Sequence, residues 1–201
     1  LYKEGDSMKK YKRLEELVNI RSGSPQFRID ETTDQSAPVY NFYGQSEIYE
    51  DLSGISSMND DVQKKIIRTF DRVMTLNEGD LVFSLISGTA SIVSGKNKGY
   101  MCTQNYLVLN PNEKVDSKYL IYLLNEDKSI QRQLQMGLQG STVLKYSIKQ
   151  VRELRIVKLP GLHIQKIIGD IYLKQLKLSA LKKRVIEYEK MMLMEKLRTY
   201  K

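Results

Sequence analysis

The chain has 201 residues, 41% of them hydrophobic, which is enough for one domain with a real core, or one domain plus an extension. Its formal net charge of +8 favours anionic partners, nucleic acid or membrane surface, while its single cysteine, Cys102, excludes an intramolecular disulfide framework and a multi-cysteine zinc site. No apolar run approaches the ~18 residues of a membrane span and no signal-peptide pattern opens the sequence, so no membrane partner is expected and the setting reads as a reducing cytoplasm.

In chain order, residues 9–18 read as a short helix, because Leu14, Leu17 and Val18 stand at helical spacing and make one apolar face. Met8, just before it, reads as a native start. Residues 21–25 are a turn-rich break. Residues 26–61 are polar, acidic and loop-like, with a strand expected at 38–43, where aromatic and β-branched residues concentrate before Gly44. Residues 60–72 stay open between a short helix and an exposed strand. The turn at 77–80 leads into the continuous apolar run of 81–86, a buried strand, followed by a turn at 87–89 and a short apolar stretch at 90–93. A polar turn at 94–99 and a strand at 100–109 come next. Residues 115–125 predict a helix capped by Asp116, with Leu120, Leu123 and Leu124 as its stripe, continuing in pieces to about 134. Residues 136–142 form a Gly-broken loop, 148–154 a short helix or turn, and 154–159 a strand closed by Pro160 and Gly161.

After Gly161 the character changes. There is no proline from Leu162 to Lys201 and one glycine, Gly169. Ile164, Ile171, Leu178, Val185 and Met192 recur every seven residues, and of the positions three further on Ile167, Leu181 and Tyr188 are apolar while Lys174 and Glu195 are charged. That is a heptad-like seam, and its eight apolar residues are the expected pairing surface. A helix of this extent is too long to lie back on its own domain over its whole length. Ile168, Leu176, Ile186, Leu193 and Leu197 lie off the seam and imply a second packed face. The expected division is a domain over 1–161 and a helix over 162–201.

Charge follows the same division. Residues 163–201 hold 10 Lys and Arg against 4 Asp and Glu, a net of +6, whereas 1–162 hold 22 against 20. Between Arg28 and Lys64 there are 8 acidic residues and no basic one, and from Lys64 to Lys158 there are 15 basic and 8 acidic. A domain that binds a phosphate backbone should present the second stretch to it and turn the first away.

A catalytic centre does not emerge. His163 and Cys102 are the only members of their types and sit 61 positions apart, a poor basis for a dyad. There is no clustered set of metal ligands, no Walker phosphate loop and no G-x-G-x-x-G fingerprint. The turn at Asn110-Pro111-Asn112-Glu113 only echoes the tetrapeptide of amino-methyltransferases. Asp116-Ser117-Lys118 and Glu126-Asp127-Lys128 fit the acid-x-Lys triplet of nucleases, but in a chain that is 28% charged such matches arise by chance. The expectation is a non-catalytic protein with no cofactor and no metal.

The ordered motifs point elsewhere. Leu14-Glu15-Glu16-Leu17-Val18 precedes Ser22-Gly23. Glu78-Gly79-Asp80-Leu81-Val82-Phe83-Ser84 follows, then Thr103-Gln104-Asn105-Tyr106-Leu107-Val108-Leu109 and Val115-Asp116-Ser117-Lys118-Tyr119-Leu120. Gln139-Gly140-Ser141-Thr142 and the stretch 154–165 complete the series. This order resembles the specificity subunit of type I restriction–modification systems, in a half-length form with one target-recognition domain and one spacer helix. The resemblance implies an α+β fold: a mixed αβ target-recognition domain followed by a long coiled-coil-type helix. It implies a subunit that reads one half of a split double-stranded DNA site and works with methyltransferase subunits. A second half-subunit, in a homodimer or another chain, would pair through the helix.

The DNA-binding candidates follow from residue chemistry. Lys64, Lys65, Arg68, Lys96, Lys98 and Lys145 suit phosphates. The loops carrying Ser87, Thr89, Asn97, Gln139, Ser141 and Thr142 supply donors and acceptors for base edges. The competing expectations are a scaffold that keeps the helix and has lost DNA binding, and the recognition region of a fused restriction–methylation enzyme.

Overall fold

The computed structural model describes residues 11–56, 65–138 and 145–200. Its centre is a four-stranded antiparallel sheet in the order β2 (Val18–Ser22), β7 (Tyr106–Pro111), β5 (Leu81–Ser84), β6 (Ala90–Ile92). Two short antiparallel ladders stand apart from it. One joins β1 (Lys12–Arg13) to β8 (Arg155–Ile156), the other β3 (Val39–Asn41) to β4 (Ile66–Arg68). The described residues also form the α-helices α1 (Gln45–Ser53), α2 (Ser117–Glu126), α3 (Lys128–Met136), α4 (Ile148–Arg152) and α5 (Leu162–Thr199).

The central strands read as unbroken apolar runs because both sheet faces are covered. Leu81, Phe83, Leu107 and Leu109 point into a core shared with Leu120, Leu124, Ile130 and Leu134 of α2 and α3. Val82, Tyr106 and Val108 alternate to the other face, where Ile48 of α1, Tyr43, Leu76 and Cys102 enclose them. At the free edge of β6 the Asn125 side chain acts as a false strand: its Oδ1 accepts from Ala90 N at 2.7 Å and its Nδ2 donates to Ala90 O at 3.0 Å. That occupies both backbone groups of Ala90 on an edge otherwise open to pairing.

The helix expected at 9–18 does not form over the described residues of that stretch. From residue 11 the chain holds β1, a 3₁₀ turn (Leu14–Glu16) and the start of β2. One tight turn suffices to send Leu14 and Leu17 into the core, both fully buried, so the helical spacing is satisfied without a helix, and ladder pairing on either side decides the backbone. The strand expected at 100–109 begins only at Tyr106, because Tyr106 N donates back to Thr103 O and turns the chain. The run of 81–86 leaves its ladder after Ser84, and the ambiguous stretch 60–72 contains a strand, β4.

α2 begins as expected. Asp116 Oδ1 accepts from the N–H groups of Lys118 and Tyr119, both at 3.0 Å. α5 runs for 38 residues. Its first half packs on α2 and its middle passes the end of α1. Gly169 makes the α2 crossing possible: a Cβ there would lie 2.6 Å from Lys118 Cβ and Tyr119 N. Gln165, 1% exposed, pins the same junction. Its Oε1 accepts from Asp116 N at 2.9 Å, and its Nε2 donates to the carbonyls of Pro160 and Lys114 at 2.8 and 3.1 Å.

Candidate nucleic-acid interface

The residues expected to touch DNA fall into three places. Lys65 and Arg68 sit on and beside β4. Lys65 Nζ lies 4.8 Å from the centre of the Phe42 ring, and the Arg68 guanidinium donates to the carbonyls of Gln35 and Ala37 at 3.3 and 3.5 Å. A second group forms around the turn after β5. Ser84 Oγ accepts from the N–H groups of Ile86 and Ser87, at 3.2 and 3.1 Å, and Ser84 N donates to Thr89 O at 2.8 Å. Gly88 holds φ +69° with the Tyr146 ring against it, a position where a side chain meets both backbone strain and a clash. Tyr146 N donates to Leu85 O, and Lys145 Nζ donates to Asn105 Oδ1 at 2.7 Å. Lys145 is therefore brought to the turn that carries Ser87 and Thr89, although it lies more than fifty positions further along the chain.

The third place is the 3₁₀ turn (Gly95–Asn97), which docks on α1. Lys96 Nζ pairs with Glu50 at 3.0 Å and donates to Ser56 Oγ at 2.9 Å. Lys98 is exposed. Asn97 corrects the sequence reading: it is fully buried, and its Nδ2 donates to Asp51 Oδ1 at 2.9 Å. The other Asp51 oxygen accepts from Tyr43 OH at 2.8 Å. Burial first, and the Asp51 carboxylate second, push the Tyr43 phenol far above its ordinary range. Asn97 thus sits in a buried polar network with Asp51 and Tyr43, inside the fold and not on the surface of its loop. Lys64, Gln139, Ser141 and Thr142 lie outside the described residues.

The acidic stretch proves partly internal. The Glu47 carboxylate accepts from Gly44 N at 2.9 Å and caps α1, Glu50 meets Lys96, and Asp51 meets Tyr43 and Asn97. Glu50 and Asp51 hold α1 to the polar turn, and Glu47 caps the helix.

The seam residues of α5 all face outward. Ile164, Ile167, Ile171, Leu178, Leu181, Val185, Tyr188 and Met192 are between 41% and 63% exposed. The α5 residues that meet the rest of the chain are different ones: Gln165 and Gly169 are buried, and Ile168, Tyr172 and Leu173 pack on the main core. At 100° per residue these sets occupy opposite sides of the helix. From Val185 to Tyr200 every residue is exposed.

Among the described residues no group of three or more His, Cys, Asp or Glu could hold a metal ion, and no helix is long and apolar enough to cross a membrane. Sequence reasoning passed over Gln165: no local signal marks it, because its partners lie 5 to 51 positions away.

The chain matches a family described as "Type I restriction modification DNA specificity domain" over residues 7–188. Among solved structures, it is similar to the HsdS subunit from Thermoanaerobacter tengcongensis, at 19% identity and a TM-score of 0.54, over 87% of this chain and 39% of that one. It is also similar to a chain of a type I R-M system solved for its complex assembly and conformational transition. There the identity is 18% and the TM-score 0.58, over 94% of this chain and 43% of that one. At such identities the likeness shows the fold, and the chain spans about two fifths of the length of these relatives. A search of curated proteins gave no match. With the family matched over most of its length, the chain belongs to the type I restriction modification DNA specificity domains.

Proposed function

We propose that this chain is the non-catalytic DNA-recognition subunit of a type I restriction–modification complex. It reads one half of a bipartite double-stranded site and pairs through α5 with a second copy or a second half-subunit. Methyltransferase subunits supply the chemistry. The observation that carries the reading is α5. A 38-residue helix keeps an apolar seam, interrupted at Lys174 and Glu195, on the side away from its own domain, and the domain belongs to a DNA specificity family. At ~1.5 Å per residue the helix spans roughly 57 Å, a length suited to holding two readers apart on one duplex. Two copies related by a twofold axis would read an interrupted palindrome, since protein symmetry sets site symmetry.

The test is to produce the chain with its cognate methyltransferase and map methylated adenines genome-wide. The expected result is a two-part motif with a fixed spacer. Methylation that persists unchanged when the chain is deleted overturns the reading.

A further inference from the structure

The β3–β4 ribbon differs from the rest of the domain. It is a two-stranded antiparallel sheet separate from the central one, with register Val39↔Arg68, Tyr40↔Ile67 and Asn41↔Ile66. Pairs directly opposite share a face and successive pairs alternate. Tyr40 and Ile67 form the inward pair, and Ile67 is 5% exposed. Val39, Arg68, Asn41 and Ile66 form the outward face, where Val39 and Ile66 are 45% and 52% exposed.

The ribbon's flank is equally unusual. The segment before β3 is tied to the far edge of β4: Thr32 N donates to Arg68 O at 2.9 Å and Asp30 N to Asp71 Oδ2 at 2.7 Å. This suture brings Phe27 and Phe70 onto the same lobe, 74% and 65% exposed, and neither belongs to a core cluster. The Arg28 guanidinium lies 5.4 Å from the Phe27 ring centre, Lys65 stacks on Phe42, and Arg72 is exposed. Of the acidic groups on this flank, Asp71 and Asp34 are committed to turns, Asp71 through Asp30 N and Asp34 through the Ser36 N–H and hydroxyl, while Asp30 and Glu31 are exposed.

We propose that the β3–β4 ribbon is the element that enters the major groove, with Arg68 and Asn41 on its outward face reading base edges. The major groove admits a two-stranded ribbon. A guanidinium matches the paired acceptors of guanine, and an asparagine amide matches the acceptor and donor of adenine. The carbonyls of Gln35 and Ala37 hold the Arg68 fork in place before any ligand arrives, which lowers the ordering cost of binding. Lys65, Arg28 and Arg72 flank the face with the cations that phosphates on either rim of a groove require. The inference rests on the DNA-recognition reading, because the same exposed apolar face would otherwise suit a protein partner.

The test is selection from a pool of random-sequence DNA duplexes by the purified chain, and by Asn41→Ala, Arg68→Lys and Lys65→Ala variants. The unmodified chain enriches a motif. Asn41→Ala and Arg68→Lys each lose preference at one position, and their affinity for the enriched duplex falls on the order of tenfold or more. Arg68→Lys keeps the charge and its melting temperature stays near the parent's, so its loss reports the fork geometry. Lys65→Ala keeps the motif and lowers the salt dependence of binding instead. If the unmodified chain enriches a motif and the Asn41 and Arg68 variants enrich the same one, the ribbon is not the reader. If the unmodified chain enriches nothing, the DNA-recognition reading itself fails, and the inference falls with it.

Discussion

The junction between domain and helix depends on two residues, Gly169 and Gln165. Any side chain at 169 must displace the first turn of α2, because a Cβ there meets backbone nitrogen as well as side-chain carbon at 2.6 Å. Gly169→Ala should therefore lower stability by about 1–3 kcal/mol, as overpacking of a close contact does, despite the higher helix propensity of alanine. Gln165→Ala removes three hydrogen bonds at a site 1% exposed and leaves Asp116 N without its side-chain acceptor. A loss of about 1–3 kcal/mol is expected, read from denaturant melts of each variant against the parent. Unchanged midpoints would mean that α5 is not docked on α2 in solution. Cys102 makes a separate prediction. Burial pushes its thiol up to about 12, so the native chain should not react with a thiol reagent at pH 8, and one thiol should react after denaturation. Because the folded value is raised above the ordinary 9.0, this group's contribution to stability is complete below about pH 9. It is lost as the pH climbs toward 12.

Among the elements, α2 shows what local sequence can specify. Asp116 accepts from two N–H groups of the first turn, and Leu120, Leu123 and Leu124 enter the core together. Cap and stripe agree, so the helix was legible. Asp116→Ala should cost about 1 kcal/mol and lower the melting temperature of the whole domain, since Gln165 binds the same residue's N–H. A variant with an unshifted melt would show the cap to be dispensable. The segment at 9–18 shows the limit of such reading. Leu14, Leu17 and Val18 have the spacing of a helix, yet Leu14 N donates to Leu154 O and Val18 pairs with Pro111. Those partners lie about 140 and 90 positions away, and no local window contains them. The candidate site divides the same way. Lys65 and Arg68 were candidates because charge is visible in sequence, and they lie beside and on β4. Asn97 looked like an exposed turn residue because the turn is polar, and only the docking of that turn on Asp51 of α1 shows it to be internal. The union of Ser87, Thr89 and Lys145 was invisible because the hydrogen bond from Tyr146 to Leu85 creates it.

For the whole molecule, the two surfaces of α5 answer to different forces, and salt separates them. The seam is apolar and exposed along the helix, while residues 163–201 carry a net of +6. Bringing two such helices together buries the seam and sets like charge against like. Salt screens that repulsion, with a Debye length of ~10 Å at 0.1 M and ~3 Å at 1 M. Self-association should therefore tighten as salt rises, whereas DNA binding should weaken, because each neutralised phosphate releases counterions. Sedimentation at micromolar concentration across a salt series reads the first effect, and fluorescence anisotropy on a labelled duplex reads the second. Leu178→Glu together with Val185→Glu should give a monomer at every salt concentration with the domain's melting temperature unchanged, since both side chains are about half exposed in the single chain. A parent chain that stays monomeric throughout overturns pairing with its own copy. A double variant that still pairs removes the seam as the interface and shifts attention to the second apolar set, Ile186, Leu193 and Leu197, which the domain also leaves uncovered.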